Sequence, residues 1–353
     1  MRARASALTL TLNGARGAIG LRSISTTATS PTATFLHSRF ACTDDEVRLV
    51  VYKLRKGLTR EEKRKIPKLE GPPINPARAG DVCDALQSRL SLGEPALKKM
   101  VLGTPPLLRY NFESDIEPSL AAMQSQLDLS ESELRKVVIL LPPVLGLSSF
   151  KANIVPSLAA LRSRLSLSDP ELKKVVLKLP HVLSYSFEAD TATKLAKLQS
   201  RLSLSELELK TVVLKLPTLL SYSFEERIEP LLAALQTRLA LSGPELKKVV
   251  LALPQVLGLS FEMNVEPKLD FFETGFGIAS DELRKRVVEH PELLSYSIQE
   301  RYGPRAERAS ALGADGLREA LYPAGAYTDA NFIAWVKERE KSVLADEDSA
   351  APG

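Results

Sequence analysis

The 353-residue chain has little of what enzymes and metal proteins are built from. It carries three histidines (His37, His181, His290) and two cysteines (Cys42, Cys83), all far apart and without ligand spacing, which excludes a zinc site and a disulfide scaffold. No G-x-S-x-G, P-loop, Rossmann fingerprint or H-E-x-x-H occurs, so the sequence reads as a non-enzyme without cofactor or metal. Aromatics are 6% of residues, with Trp335 the single tryptophan, so leucine, valine and alanine must fill the core. The longest apolar run, Val137–Leu147, is about half a membrane span and contains two prolines, so no transmembrane helix is predicted.

Acidic residues are also missing from Met1 to Thr43, where Arg2, Arg4, Arg16, Arg22 and Arg39 sit among serine, threonine and alanine. That composition predicts an organelle transit peptide over 1–43, with cleavage after Ile24 or after Phe40. An arginine shortly before the apolar residue points to the mitochondrion, with the plastid as the alternative. Residues 44–80 follow as a basic segment and linker, with Lys53–Lys68 rich in cations and GPPINPARAG breaking any helix. Charge is unevenly placed. Residues 1–80 hold 15 Lys+Arg against 6 Asp+Glu, whereas residues 81–304 hold 26 against 28. The formal +4 therefore belongs to the N-terminal region, and contact with a polyanion by the rest requires a polarised face.

What the chain does have is a repeat. Pro105, Pro142, Pro180, Pro217, Pro254 and Pro291 are spaced 37, 38, 37, 37 and 37 residues apart, the one 38 arising from an extra serine in LGLSSF. A fixed period of this size means stacked supersecondary units. Within a unit, Ser242 and Glu245 have capping-box spacing, as do Ser130/Glu133, Ser168/Glu171 and Ser205/Glu208; units one and six have Gly93/Ala96 and Ala279/Glu282 instead. Leu246, Val249, Val250 and Leu253 follow at i, i+3, i+4, i+7 on one helical face. Pro254 stops that helix, a turn carries Val256, Leu257 and Leu259 inward, and a second helix begins near Pro267. The expected fold is an all-α helical-repeat solenoid of six to seven units of about 37 residues over 81–304. The period does not fix its right- or left-handedness.

The units LKKVVLKLPHVLSYSFE (172–188), LKTVVLKLPTLLSYSFE (209–225) and VVEHPELLSYSIQERYGPR (287–305) resemble the mitochondrial transcription termination factor (mTERF) family over about 83–340. The resemblance implies a left-handed solenoid that binds double-stranded nucleic acid in organelles, in transcription termination or initiation, ribosome biogenesis or RNA splicing. Double-stranded DNA or structured RNA is the implied partner, with organellar transcription or ribosome-assembly proteins beside it. Arg301 and Arg305 match the closing repeat of such proteins and are candidate contacts. The competing function is a protein-binding scaffold without nucleic acid.

Two cation ladders share the period. Seven residues before each anchor proline stand Lys98, Arg135, Lys173, Lys210, Lys247 and Arg284, and one place later Lys99, Lys136, Lys174, Lys248 and Lys285, with Thr211 as the exception. Arg89, Arg164, Arg201 and Arg238 end the other helix, with Gln126 interrupting. Either ladder could follow phosphates. Either could also be an ordinary polar face copied by duplication, since a glutamate lies two residues before the first cation in five of six units. Tyr110, Tyr185, Tyr222 and Tyr296 could stack on an everted base or pack in the turns. Residues 305–343 are expected to cap the array, with Thr328 or Asp329 as N-cap and Phe332, Ile333, Trp335 and Val336 covering the last repeat; 344–353 reads as a disordered tail. A chain capped at both ends is expected to be a monomer.

Overall fold

The computed structural model describes residues 30–56, 74–146, 154–184 and 191–350. The presequence up to residue 29, the basic stretch 57–73, the serine-extended turn 147–153 and the turn holding Tyr185 lie outside the described residues. Among the described residues the regular elements are all helical, and the fold is an all-α helical-repeat solenoid. It divides into two compact units, one running to Asp84 and including Gly93–Arg109, the other holding Ala85–Leu92 and everything from Tyr110 onward.

In the second unit the repeat is built as its sequence dictates. Helices α6 (Glu131–Leu140), α8 (Asp169–Lys178), α10 (Glu206–Lys215) and α12 (Gly243–Ala252) each begin at a serine that forms a capping box with the glutamate three residues on. Helix α14 (Ser280–Glu289) starts at Ala279 with no side-chain cap. The stripe Leu246, Val249 and Val250 is fully buried, as are Leu209, Val212 and Val213, and each such side chain contributes about 1.5–3 kcal/mol. The anchor proline ends the helix and opens a 3-10 turn, as in Pro254–Gly258, where Val256 and Leu257 are buried and Leu259 stays half exposed. A one-turn π segment such as Phe261–Val265, capped by Ser260, then feeds the second helix. These second helices are α5 (Glu117–Leu127), α7 (Val155–Leu165), α9 (Ala192–Leu202), α11 (Glu229–Arg238) and α13 (Glu266–Gly275). Stacking is sequential: α6 packs on α8, α8 on α10, α10 on α12 and α12 on α14.

Each second helix ends on a left-handed residue. Asp128, Ser166, Ser203 and Ala240 all have φ of 47° to 49°, and Gly277 holds the same place at φ 65°. Left-handed backbone costs a residue with a side chain about 1–2 kcal/mol, so the corner is repeatedly strained except where glycine occupies it.

The first unit contains a repeat hidden from the proline count. Helix α1 (Pro31–Phe40) ends at Ala41, φ 47°, and α2 (Asp44–Lys56) follows. Thr43 and Glu46 form a capping box, since Thr43 N donates to Glu46 Oε2 and Glu46 N to Thr43 Oγ1. The next left-handed corner, Ser91, ends helix α3 (Pro76–Leu90) and precedes α4 (Glu94–Gly103). Residues 31–40, assigned by composition to the presequence, thus form a packed helix whose Phe35, Leu36 and Phe40 are buried. The abundance of Ser, Thr and Ala around them masked this apolar face.

At the C-terminal end α15 (Gly303–Ala309), α16 (Gly313–Glu319) and α17 (Leu321–Ala326) lead into α18 (Asp329–Ala350). Thr328 is the N-cap, its Oγ1 accepting from Asn331 N, while Phe332 and Val336 are buried and Ile333 and Trp335 half buried. The helix continues to Ala350 through most of the segment expected to be a disordered tail, where alanine and glutamate favour helix.

Candidate nucleic-acid interface

The first ladder connects repeats. Lys247 Nζ lies 2.8 Å from Glu208 Oε2 and donates to the carbonyl of the left-handed Ser203 at 2.9 Å. Lys210 makes the same pair of contacts with Glu171 and Ser166 O, and Lys173 with Glu133 and Asp128 O. Arg284 binds both oxygens of Glu245, and in the first unit Lys98 pairs with Glu46 at 3.0 Å. In each case the carboxylate is the third residue of a capping box, so one glutamate caps its own helix and holds the next repeat. Hydrogen bonds from Lys210 and Arg284 are the main reason that Glu171 and Glu245 are pushed down to about 2. These cations are only 21% to 38% exposed, and each is paired with a carboxylate. Arg135 differs: the residue 39 positions earlier in the sequence is Ala96, and its buried Nε has no hydrogen-bond partner.

The arginine ladder is a second set of links. Arg201 donates to Glu229, 28 residues on, and to Gln236, 35 residues on. Arg89 reaches Glu117, Gln124 and Glu131; Arg164 reaches Gln199 and Glu206; Arg238 reaches Glu266, Asp270 and Glu273. Arg39, in the first unit, pairs with Asp84 and Glu94 and continues the pattern. The hydrogen bond that Arg238 donates to Glu273 is the largest cause raising the Arg238 pKa.

Arg301 and Arg305 serve the closing repeat. The Arg305 guanidinium is buried, donating to the carbonyls of Ala324 and Tyr327 and to Asp329 Oδ1, above the Phe332 ring. Arg301 stacks on Tyr296 at 4.6 Å and donates to Gly325 O. Among the described residues, Tyr222 and Tyr296 pack in the turns. Tyr222 lies under Arg227 at 4.3 Å and donates to Thr218 Oγ1. Its Oη would be 3.1 Å from a Cβ at Gly258, so the glycine of LGLSF makes room for the preceding tyrosine.

One series is left facing water. Lys136, Lys174, Lys248 and Lys285 are exposed on α6, α8, α12 and α14; the last three each follow a paired ladder cation, and Lys136 follows Arg135. Among the described residues none of the four forms an ion pair, and Lys99 of α4 is likewise exposed. Stacked helices lie about 8–10 Å apart, so equal register sets these ammonium groups in a row. Thr211 interrupts it on α10, its Oγ1 turned back to Leu207 O. The sequence pattern could not separate the adjacent cations, because the glutamates that neutralise the first series come from the preceding repeat.

A family model described as mTERF matches residues 150–332, just over half of the chain. No curated protein matches it. With its proline-stopped helix pairs, its repeat-to-repeat links and this match, the chain belongs to the mTERF family.

Proposed function

We propose that this protein is an organellar double-stranded nucleic-acid-binding regulator of gene expression, acting in transcription or RNA metabolism. The row Lys136, Lys174, Lys248 and Lys285 carries the proposal: all four are exposed and without an ion pair among the described residues, on four of the five stacked first helices from α6 to α14, and the cations beside the last three are paired with carboxylates. Membership of the family supports the same ligand class. Contact through lysine ammonium groups is electrostatic: it positions a phosphate backbone and carries no base readout. The protein acts in the mitochondrion, as the acid-free N-terminal composition favours, and as a non-enzymatic monomer.

Fluorescence anisotropy of the full chain with labelled duplex DNA, duplex RNA and single strands across a salt series tests this. The expected result is duplex binding that weakens steeply with salt. Absence of duplex binding at low salt overturns it and returns the protein-scaffold alternative.

A further inference from the structure

The turns between repeats carry carboxylates. An open groove of about 540 Å³ lies between the fourth and fifth repeats. Its lining is mixed: Leu231 is buried and Leu259 and Phe261 half buried beside the serines Ser221, Ser223 and Ser260, and Met263 stands 83% exposed just beyond Glu262. Glu226 and Glu262 are exposed at its rim. Glu226 has no ion pair among the described residues, and Glu262 accepts only from Ser260 Oγ. The one cation in the lining, Arg227, is engaged, stacked on Tyr222 and donating to Gly258 O at 2.5 Å.

Two carboxylates without an ion pair, beside the apolar patch of Leu259 and Phe261, disfavour a phosphate backbone. A groove of this volume lies within the roughly 300–1,000 Å³ range of binding sites, and its chemistry suits a chain that alternates cations with aliphatic side chains. We infer that this groove docks an extended basic segment of a protein partner, with its Lys or Arg head groups on Glu226 and Glu262 and its aliphatic side chains on Leu259 and Phe261. The docking surface uses none of the exposed lysines. The inference stands whether or not the lysine row binds nucleic acid.

The test uses the full chain and a fluorescein-labelled nonapeptide alternating arginine and leucine, with a glutamate–leucine peptide as control. The arginine–leucine peptide is expected to bind saturably. The E226K/E262K variant is expected to bind it at least about tenfold more weakly and to turn its preference to the glutamate–leucine peptide. The milder E226Q/E262Q variant is expected to lose affinity without that reversal and to keep the parent affinity for duplex. Lack of saturable binding up to about 1 mM peptide overturns the inference. So does equal binding by the parent and the charge-reversed variant, or a variant that changes duplex affinity while peptide affinity stays the same.

Discussion

Lys247 Nζ sits 2.8 Å from the Glu208 carboxylate and 2.9 Å from the Ser203 carbonyl, joining the side chain of one repeat to the strained corner of the one before. The same triangle recurs at Lys210 and Lys173. A double-mutant cycle on Lys247→Met and Glu208→Gln is therefore expected to show favourable coupling in urea melts, whereas Lys248→Met, one residue away, is expected to be neutral. Additive effects of the first pair contradict the linking role.

The same carboxylates make stability depend on acid. Glu171 and Glu245 ionise at about 2 in the folded chain, below the roughly 4.3 of an unfolded glutamate. Their contribution is complete above the unfolded value and is lost as pH falls through the folded one. The melting temperature is expected to drop between about pH 5 and pH 2, and less steeply in a Glu171→Gln/Glu245→Gln variant.

The left-handed corners offer a gain. Ser166→Gly and Ser203→Gly are each expected to stabilise the chain by about 0.5–1 kcal/mol, because glycine adopts φ near +48° without a Cβ clash. Gly277→Ala is expected to cost about as much in the other direction. Chemical denaturation measures all three.

Arg305 is a structural clamp. Arg305→Ala leaves the carbonyls of Ala324 and Tyr327 without their donor and is expected to cost about 2–4 kcal/mol in denaturation. Duplex affinity of the folded variant at 10 °C is expected to match the parent.

The repeat was legible because prolines, capping boxes and the Leu/Val stripe are local signals. The first repeat was not, because its corner at Ala41 precedes the next at Ser91 by 50 residues, not 37, and no anchor proline marks it. Its partner pairs do: Arg39 with Glu94 and Lys98 with Glu46 repeat the contacts of Arg89 with Glu131 and Lys210 with Glu171. Lys247 and Lys248 looked equivalent as adjacent cations, and only packing against the preceding repeat separates them.

That first repeat bears on processing. A chain beginning at Ser25 keeps α1, whereas one beginning at Ala41 loses the buried Phe35, Leu36 and Phe40, worth about 1.5–3 kcal/mol each. The shorter chain is expected to melt several degrees lower, and mass spectrometry of the mature protein is expected to find the cut near Ile24. Equal melting temperatures contradict the place given to α1.

The most direct measurement is the salt dependence of duplex affinity for the parent, for K136Q/K174Q/K248Q/K285Q and for K173Q/K210Q/K247Q. The first variant is expected to lower the log–log slope by about 3–4, at about 0.9 per phosphate contact, and to lose most of the affinity. The second is expected to keep both while losing stability. An unchanged slope in the first variant, or a greater loss in the second, contradicts the division between a lysine row that faces a ligand and a ladder that joins repeats.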